Sequence, residues 1–151
     1  MTMPADNSIR MDILSKPAHL PVVRAALERI CEQIGFGEEA TGGVVLSVDE
    51  ALTNVIKHAY DGADDKPIEV ELTPVGGPPV DGLQIRIRDY GRVVDPAKIK
   101  SRDLADVRPG GLGVHIMQKC MDTVRYQRAA GGGTLLTMVK TRTPQQQDTK
   151  A

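Results

Sequence analysis

Aromatic side chains are almost missing from these 151 residues, which hold one Phe, three Tyr and no Trp. Reading single-stranded nucleic acid by stacking bases on aromatic faces is therefore disfavoured. The core must be built from Val, Ile, Leu, Met and Ala. Net charge is equally scarce: 19 basic and 20 acidic side chains leave a formal −1. That balance gives no electrostatic reason to expect direct nucleic-acid binding or a membrane surface. The two cysteines, Cys31 and Cys120, sit in apolar helical patterns without metal-ligand spacing and read as small core residues. The opening Met-Thr-Met-Pro-Ala-Asp-Asn has neither the basic nor the apolar run of a signal peptide. No stretch is long and apolar enough to span a bilayer. A cytoplasmic protein is expected. What is present, 40% hydrophobic and 26% charged residues, suits one soluble domain with a sizeable core.

Hydrophobic spacing divides the chain into alternating elements. Ile9 to Ile13 alternates as a strand. From Pro17 to about Ile34, Val23, Leu27, Ile30 and Ile34 recur at helical spacing, with Gly35 and Gly37 as the stop. Pro21 places the regular start of that helix near itself, where a first-turn proline is tolerated. A second helix is expected from Glu38 to Tyr60, ended by Asp61-Gly62. Strands follow at Pro67–Leu72 and Leu83–Arg88, joined by a turn-rich loop over 73–82. Residues 92–110 read as a charged loop, Leu112–Met121 as a third helix, and Val124–Arg128 with Thr134–Thr141 as a closing hairpin around Gly131-Gly132-Gly133. Hairpin-linked strands predict an α+β two-layer sandwich, a mostly antiparallel sheet with helices on one face. A tail is expected over 1–8 and a disordered one over 142–151.

Three short motifs carry the chemistry. In the second helix, Glu50, Asn54 and His58 lie four apart and form a polar row, while Val48, Leu52, Val55 and Ala59 can face a core. Asp89-Tyr90-Gly91 ends a strand; its carboxylate could accept a hydrogen bond from an adenine amine, with Gly91 allowing the base close to the backbone. Gly110-Gly111-Leu112-Gly113 precedes a helix whose free N–H groups attract phosphate. Each is weak alone, since strand ends and helix starts favour such residues anyway. The glycine cluster is not a P-loop, because no Gly-Lys-Ser/Thr follows. His58 and His115 lack a third metal partner and suit the edge of a pocket. Lys98, Arg102 and Arg108 are cations in the charged loop that could meet a terminal phosphate. Thr134 could add a hydroxyl near the base.

In order and spacing these motifs resemble the GHKL, or histidine kinase-like, ATPase superfamily with its Bergerat nucleotide-binding fold. More narrowly, Asn54-Val-Ile-Lys57-His58-Ala59-Tyr60, Asp89-Tyr-Gly-Arg-Val-Val-Asp95-Pro96 and Gly111-Leu-Gly-Val-His-Ile-Met-Gln-Lys-Cys-Met121-Asp122 are similar to the bacterial anti-sigma factor serine kinases. Gly133-Thr134 through Lys140 fits the same group. The resemblance covers about residues 9 to 141 and implies ATP and Mg²⁺ as ligands. It assigns Glu50 as the base that positions or deprotonates the attacking hydroxyl, and Asn54 as the Mg²⁺ ligand. Nucleotide contacts would come from Asn54, Lys57, His58, Asp89, Gly91, Gly110, Gly111, Leu112, Gly113, Val114, His115 and Thr134, with 92–110 as an ATP lid. The implied activity is phosphorylation of a serine on a STAS-domain anti-anti-sigma antagonist, with a sigma factor or other target as second partner and a homodimer as assembly. Two departures stand out: Val93 replaces a glycine common in the broader superfamily, and His115 replaces a usually aliphatic or aromatic residue. A nucleotide-dependent binding module without turnover, or a stand-alone histidine kinase ATPase domain, are the competing expectations.

Overall fold

The computed structural model describes residues 7–93 and 109–142. Strand β1 (Ile9–Leu14) leads through a 3₁₀ turn at Pro17–His19 into α1 (Leu20–Ile34). Pro21 falls in the first helical turn, where its missing N–H costs no intrahelical bond. Gly35 closes the helix at φ +98°, its N–H on the carbonyls of Cys31 and Glu32, a left-handed stop that favours glycine. Helix α2 (Glu38–Asn54) runs straight into a π-helical turn at Val55–Ala59. Strands β2 (Pro67–Val75) and β3 (Gly82–Asp89), helix α3 (Pro109–Cys120), and strands β4 (Thr123–Arg128) and β5 (Thr134–Thr141) complete the order.

All strand pairings are antiparallel, in the order β1-β2-β3-β5-β4. Period-two alternation sends Ile68, Val70, Leu72, Leu83, Ile85, Ile87, Leu136 and Met138 to one face, where they pack with Val23, Leu27, Val48, Leu52 and Met117 of the helices. Burial of each such side chain contributes roughly 1.5–3 kcal/mol. The other face carries Arg10, Glu69, Glu71, Arg86 and Arg88, with ion pairs Arg10–Glu69 at 3.0 Å and Arg86–Glu71 at 3.7 Å. The two-layer α+β sandwich expected from the pattern is the one observed, with a wholly antiparallel sheet.

Several boundaries differ from the sequence reading. β2 extends past Leu72 to Val75, so the connection to β3 is shorter than 73–82. Pro74 is admitted because β1 ends its pairing at Ile9↔Leu72, leaving that side of β2 without a strand partner. The tail expected over 1–8 is held at its end: Asn7 Nδ2 donates to the Pro74 carbonyl at 3.0 Å and Ser8 Oγ lies 2.6 Å from Thr73 Oγ1. The glycine cluster expected to precede the third helix lies inside it, since α3 starts at Pro109. Proline is suited to that first turn, and the first four N–H groups of a helix have no intrahelical acceptor, so glycines there leave their donors available. Lys98, Arg102, Arg108, most of the expected lid and the 143–151 tail lie outside the described residues.

Candidate functional site

The site forms where the end of α2 faces the ends of β3 and β5. Asn54, Asp89 and Thr134, far apart in sequence, line one cavity together with Ala51, Val55 and Ile87. Among the described residues, their polarity is largely unanswered: both the Oδ1 and Nδ2 atoms of Asn54 and the Thr134 Oγ1 are buried without a hydrogen-bond partner there. An unpaired buried polar group costs about 1–3 kcal/mol, so three in one cavity are a large debt for an ordinary core. A ligand that carries both donors and acceptors would answer them.

Asp89 is 4% exposed. Burial pushes its carboxyl above the usual aspartate value, opposed by the N–H groups of Gly91 and Thr134 and by the Arg88 charge. The Gly91 N–H donates to Oδ1 at 3.0 Å. Arg88 holds the neighbouring turn in place. Its guanidinium donates to the Asp89 carbonyl at 3.0 Å, to Gly132 at 2.5 Å and to Ala130 at 3.0 Å. It also lies 4.1 Å over the Tyr90 ring. Gly133, at φ +81°, lets this turn touch β3: a Cβ there would meet the Asp89 carbonyl oxygen at 2.0 Å. Asp89 and Thr134 are thus brought side by side.

The π-helical turn changes how the α2 motif is displayed. Tyr60 N–H reaches back five residues to the Val55 carbonyl at 3.0 Å, so the four-residue row does not continue past Asn54. Asn54 is buried, while Glu50 and His58 are half-exposed. Of the expected apolar stripe, Val48, Leu52 and Ala59 are buried and Val55 packs half-buried against the core; Val55 and Ala59 also line the cavity, and Ile56 takes a further core place. π-turns of this kind occur often at functional sites. The turn is pinned at its end. Tyr60 Oη donates to the Pro67 carbonyl at 2.6 Å and accepts the Tyr90 N–H at 2.7 Å. Arg92 donates its backbone N–H to Ala59 at 2.9 Å and its side chain to the His58 carbonyl and Asp61.

Gly91 has a cause the sequence did not show. A Cβ on it would lie 2.4 Å from the Ala59 carbonyl oxygen, so the close approach it permits within the chain is to the π-turn. Gly91→Ala should therefore lower stability by roughly 1–3 kcal/mol. A urea midpoint equal to that of the parent protein would overturn this packing argument.

Glu50 stands one turn before Asn54 and is not among the cavity-lining residues. Its carboxyl is raised by burial first and by Asp49 second, against the lowering effect of Lys57. Lys57 is exposed on the π-turn, and His115 is exposed on α3. Gly110, Gly111, Leu112, Gly113 and Val114 belong to the first turns of α3. Among the described residues no group of three or more His, Cys, Asp or Glu gathers as a metal cage. Sequence reasoning missed Arg88, Tyr60 and Tyr126, which respectively hold the turn, brace the π-turn and line the cavity. The signal was there for the tyrosines: in a chain with three, each was worth placing.

Comparison with known proteins bears on the family and the fold. The family model described as the histidine kinase-like ATPase domain matches residues 13–140. The chain is similar to the serine-protein kinase RsbW of Listeria monocytogenes, 30% identical over 139 residues, covering 87% of this chain and 86% of that one. It is 32% identical to the RsbW serine-protein kinase of Bacillus pumilus over 141 residues, covering 87% and 84%. Among solved structures, the RsbU and RsbW domains of a Mycobacterium tuberculosis protein superpose with a TM-score of 0.63 at 16% identity, covering 92% of this chain and 32% of that longer one. The Pseudomonas aeruginosa SiaB–SiaC complex contains a chain that gives 0.63 at 12% identity, covering 87% and 88%. These two likenesses concern the fold.

Proposed function

Because the chain belongs to the histidine kinase-like ATPase domain family, we propose that it is an ATP-dependent serine-protein kinase and anti-sigma factor of a partner-switching module. Its substrate is a serine on a STAS-domain anti-anti-sigma antagonist. A sigma factor or comparable regulator is its alternative partner. The observation that carries the nucleotide reading is the cavity in which Asn54 and Thr134 keep three buried polar atoms without partners among the described residues, beside the carboxylate of Asp89. The serine-kinase names of relatives about 30% identical over most of the chain support the reaction type.

Each side chain has a task in this reading. Asp89 accepts the exocyclic amine of adenine, and Thr134 offers its hydroxyl to the same base edge. The first turn of α3 presents free N–H groups to the phosphates. Asn54 Oδ1 would hold Mg²⁺, because a single carboxamide oxygen suits an ion that keeps several of its waters. When bound, the metal supplies charge neutralisation on the phosphates. Glu50 takes the proton from the substrate serine as its Oγ forms the new bond to the γ-phosphorus. The bridging P–O bond breaks and ADP leaves. Positioning and charge carry most of the rate in such a transfer. A second copy of the chain, packed through the outer sheet face, belongs to this reading; the alternating Arg10, Glu69, Glu71 and Arg86 supply both signs of charge for self-pairing.

Incubation with γ-labelled ATP, Mg²⁺ and STAS-domain proteins from the same genome tests it. Label is expected on one serine of one partner. ATP binding with no transfer to any of them would replace the kinase by a nucleotide-controlled binding module.

A further inference from the structure

The cavity is too small for what it is read to hold. It has room for about 30 Å³, enough for water, whereas sites for small organic ligands span about 300–1,000 Å³. A bound base would have to extend beyond this space or displace part of the described wall, and most of that wall is fixed. Ile87 and Leu136 are locked in the core at 1% and 4% exposure, and Ala51 and Ala59 have nothing to withdraw.

Tyr126 is different. It is the largest side chain among the described residues of the wall and stands on β4, one of the two edge strands of the sheet. Its register places it opposite Leu136, and Thr134 pairs with Arg128. Tyr126 and Thr134 are therefore diagonal neighbours on the inner face, a relation within reach of an aromatic ring. Its phenol donates to the Met117 thioether at 3.9 Å, a soft contact that is cheap to break. The Asp89 charge acts on the same phenol, which burial pushes up to about 12. The ring thus borders both groups that would face the amine edge of a bound base.

We propose that Tyr126 is a specificity-determining residue of the base site, its ring filling the space beyond the exocyclic amine and limiting the substituent that amine can carry. The inference rests on the nucleotide reading above. An adenine must displace the ring toward the sheet edge, and an adenine extended at N6 collides with it. An N6-substituted amine still keeps one hydrogen for Asp89, so size alone is tested.

The experiment compares ATP with N6-benzyl-ATP by calorimetry on the parent protein, Tyr126→Ala and Tyr126→Phe. The parent should bind the benzyl analogue at least about tenfold more weakly than ATP, a ratio one misfitted group can produce. Tyr126→Ala should bring the two ligands within about threefold of each other by the same arithmetic. Tyr126→Phe should keep the parent ratio, because it keeps the bulk. Should the alanine variant fail to fold, Tyr126→Val, suited to a strand, takes its place. An unchanged ratio in the small variants, or a ratio lost in Tyr126→Phe, overturns the assignment while ATP still binds. If the parent protein binds no ATP at all, the nucleotide reading itself has failed, and the inference falls with it.

Discussion

Asp89→Asn is expected to weaken ATP binding by about 100-fold or more, roughly 3 kcal/mol. The reason lies in what surrounds the carboxylate. It already accepts the N–H groups of Gly91 and Thr134, and an adenine amine adds a further donor. An asparagine must point its NH₂ either at those backbone donors or at the base, and each choice sets donor against donor. A site built to hydrogen-bond a group rejects a mismatch far more strongly than an apolar pocket rejects a misfit. Calorimetry giving the parent affinity for Asp89→Asn would remove the adenine assignment. The pH dependence has a definite sign. Burial raises the Asp89 carboxyl, so ATP affinity should fall as pH drops through a value above the usual aspartate range, when an acceptor is lost to the proton. The ligand-free protein behaves oppositely in that window. Its native state keeps the proton longer than the unfolded chain, so stability falls as pH rises from the ordinary to the raised value.

Glu50→Gln should lower phosphoryl transfer by about 10²–10⁴-fold, the usual worth of a positioned general base. ATP affinity should stay within about threefold, because Glu50 is not part of the cavity wall. Equal losses in binding and transfer would show a structural role and sink the assignment. In the proposed role of Glu50 the ionised form is the active one. With burial and Asp49 both raising its carboxyl, the acid limb of the rate profile should lie above the ordinary glutamate value. The glutamine variant should lose that limb along with its activity.

The layer architecture was legible because it rests on periodicity. Ile68, Val70, Leu72 and Ile85, Ile87 alternate, and Val23, Leu27, Ile30 and Ile34 recur at helical spacing, whatever the tertiary context. Asn54, Asp89 and Thr134 were legible as a set through motif order. The shape of their meeting was not. Nothing in Val55-Ile-Lys-His-Ala59 announces a π-turn, because its cause is tertiary: Tyr60 is held by Pro67 and Tyr90, and Gly91 fits against Ala59. For the same reason Ile56, which takes a core place, was overlooked, while Val55 packs against the core and also lines the cavity. Arg88 read only as the last residue of an expected strand, and it does lie in β3. That its reach ends on the carbonyls of the β4–β5 turn depends on strand order, which local pattern does not encode.

The widened turn after Asn54 also sets local helix regularity against tertiary fastening at the same residues. Removing one residue between Val55 and Ala59 would restore regular i→i+4 bonding, and by local helix energetics alone such a shortened chain gains. It would also swing Tyr60 away from Pro67 and part Ala59 from Gly91, unfastening the helix from the strand that carries Asp89. Engineering that idealises this helix would thus cost tertiary contacts worth more than the local gain, along with the proposed base site. Length changes of a single residue here should be far less tolerated than substitutions on the exposed side of the same turn.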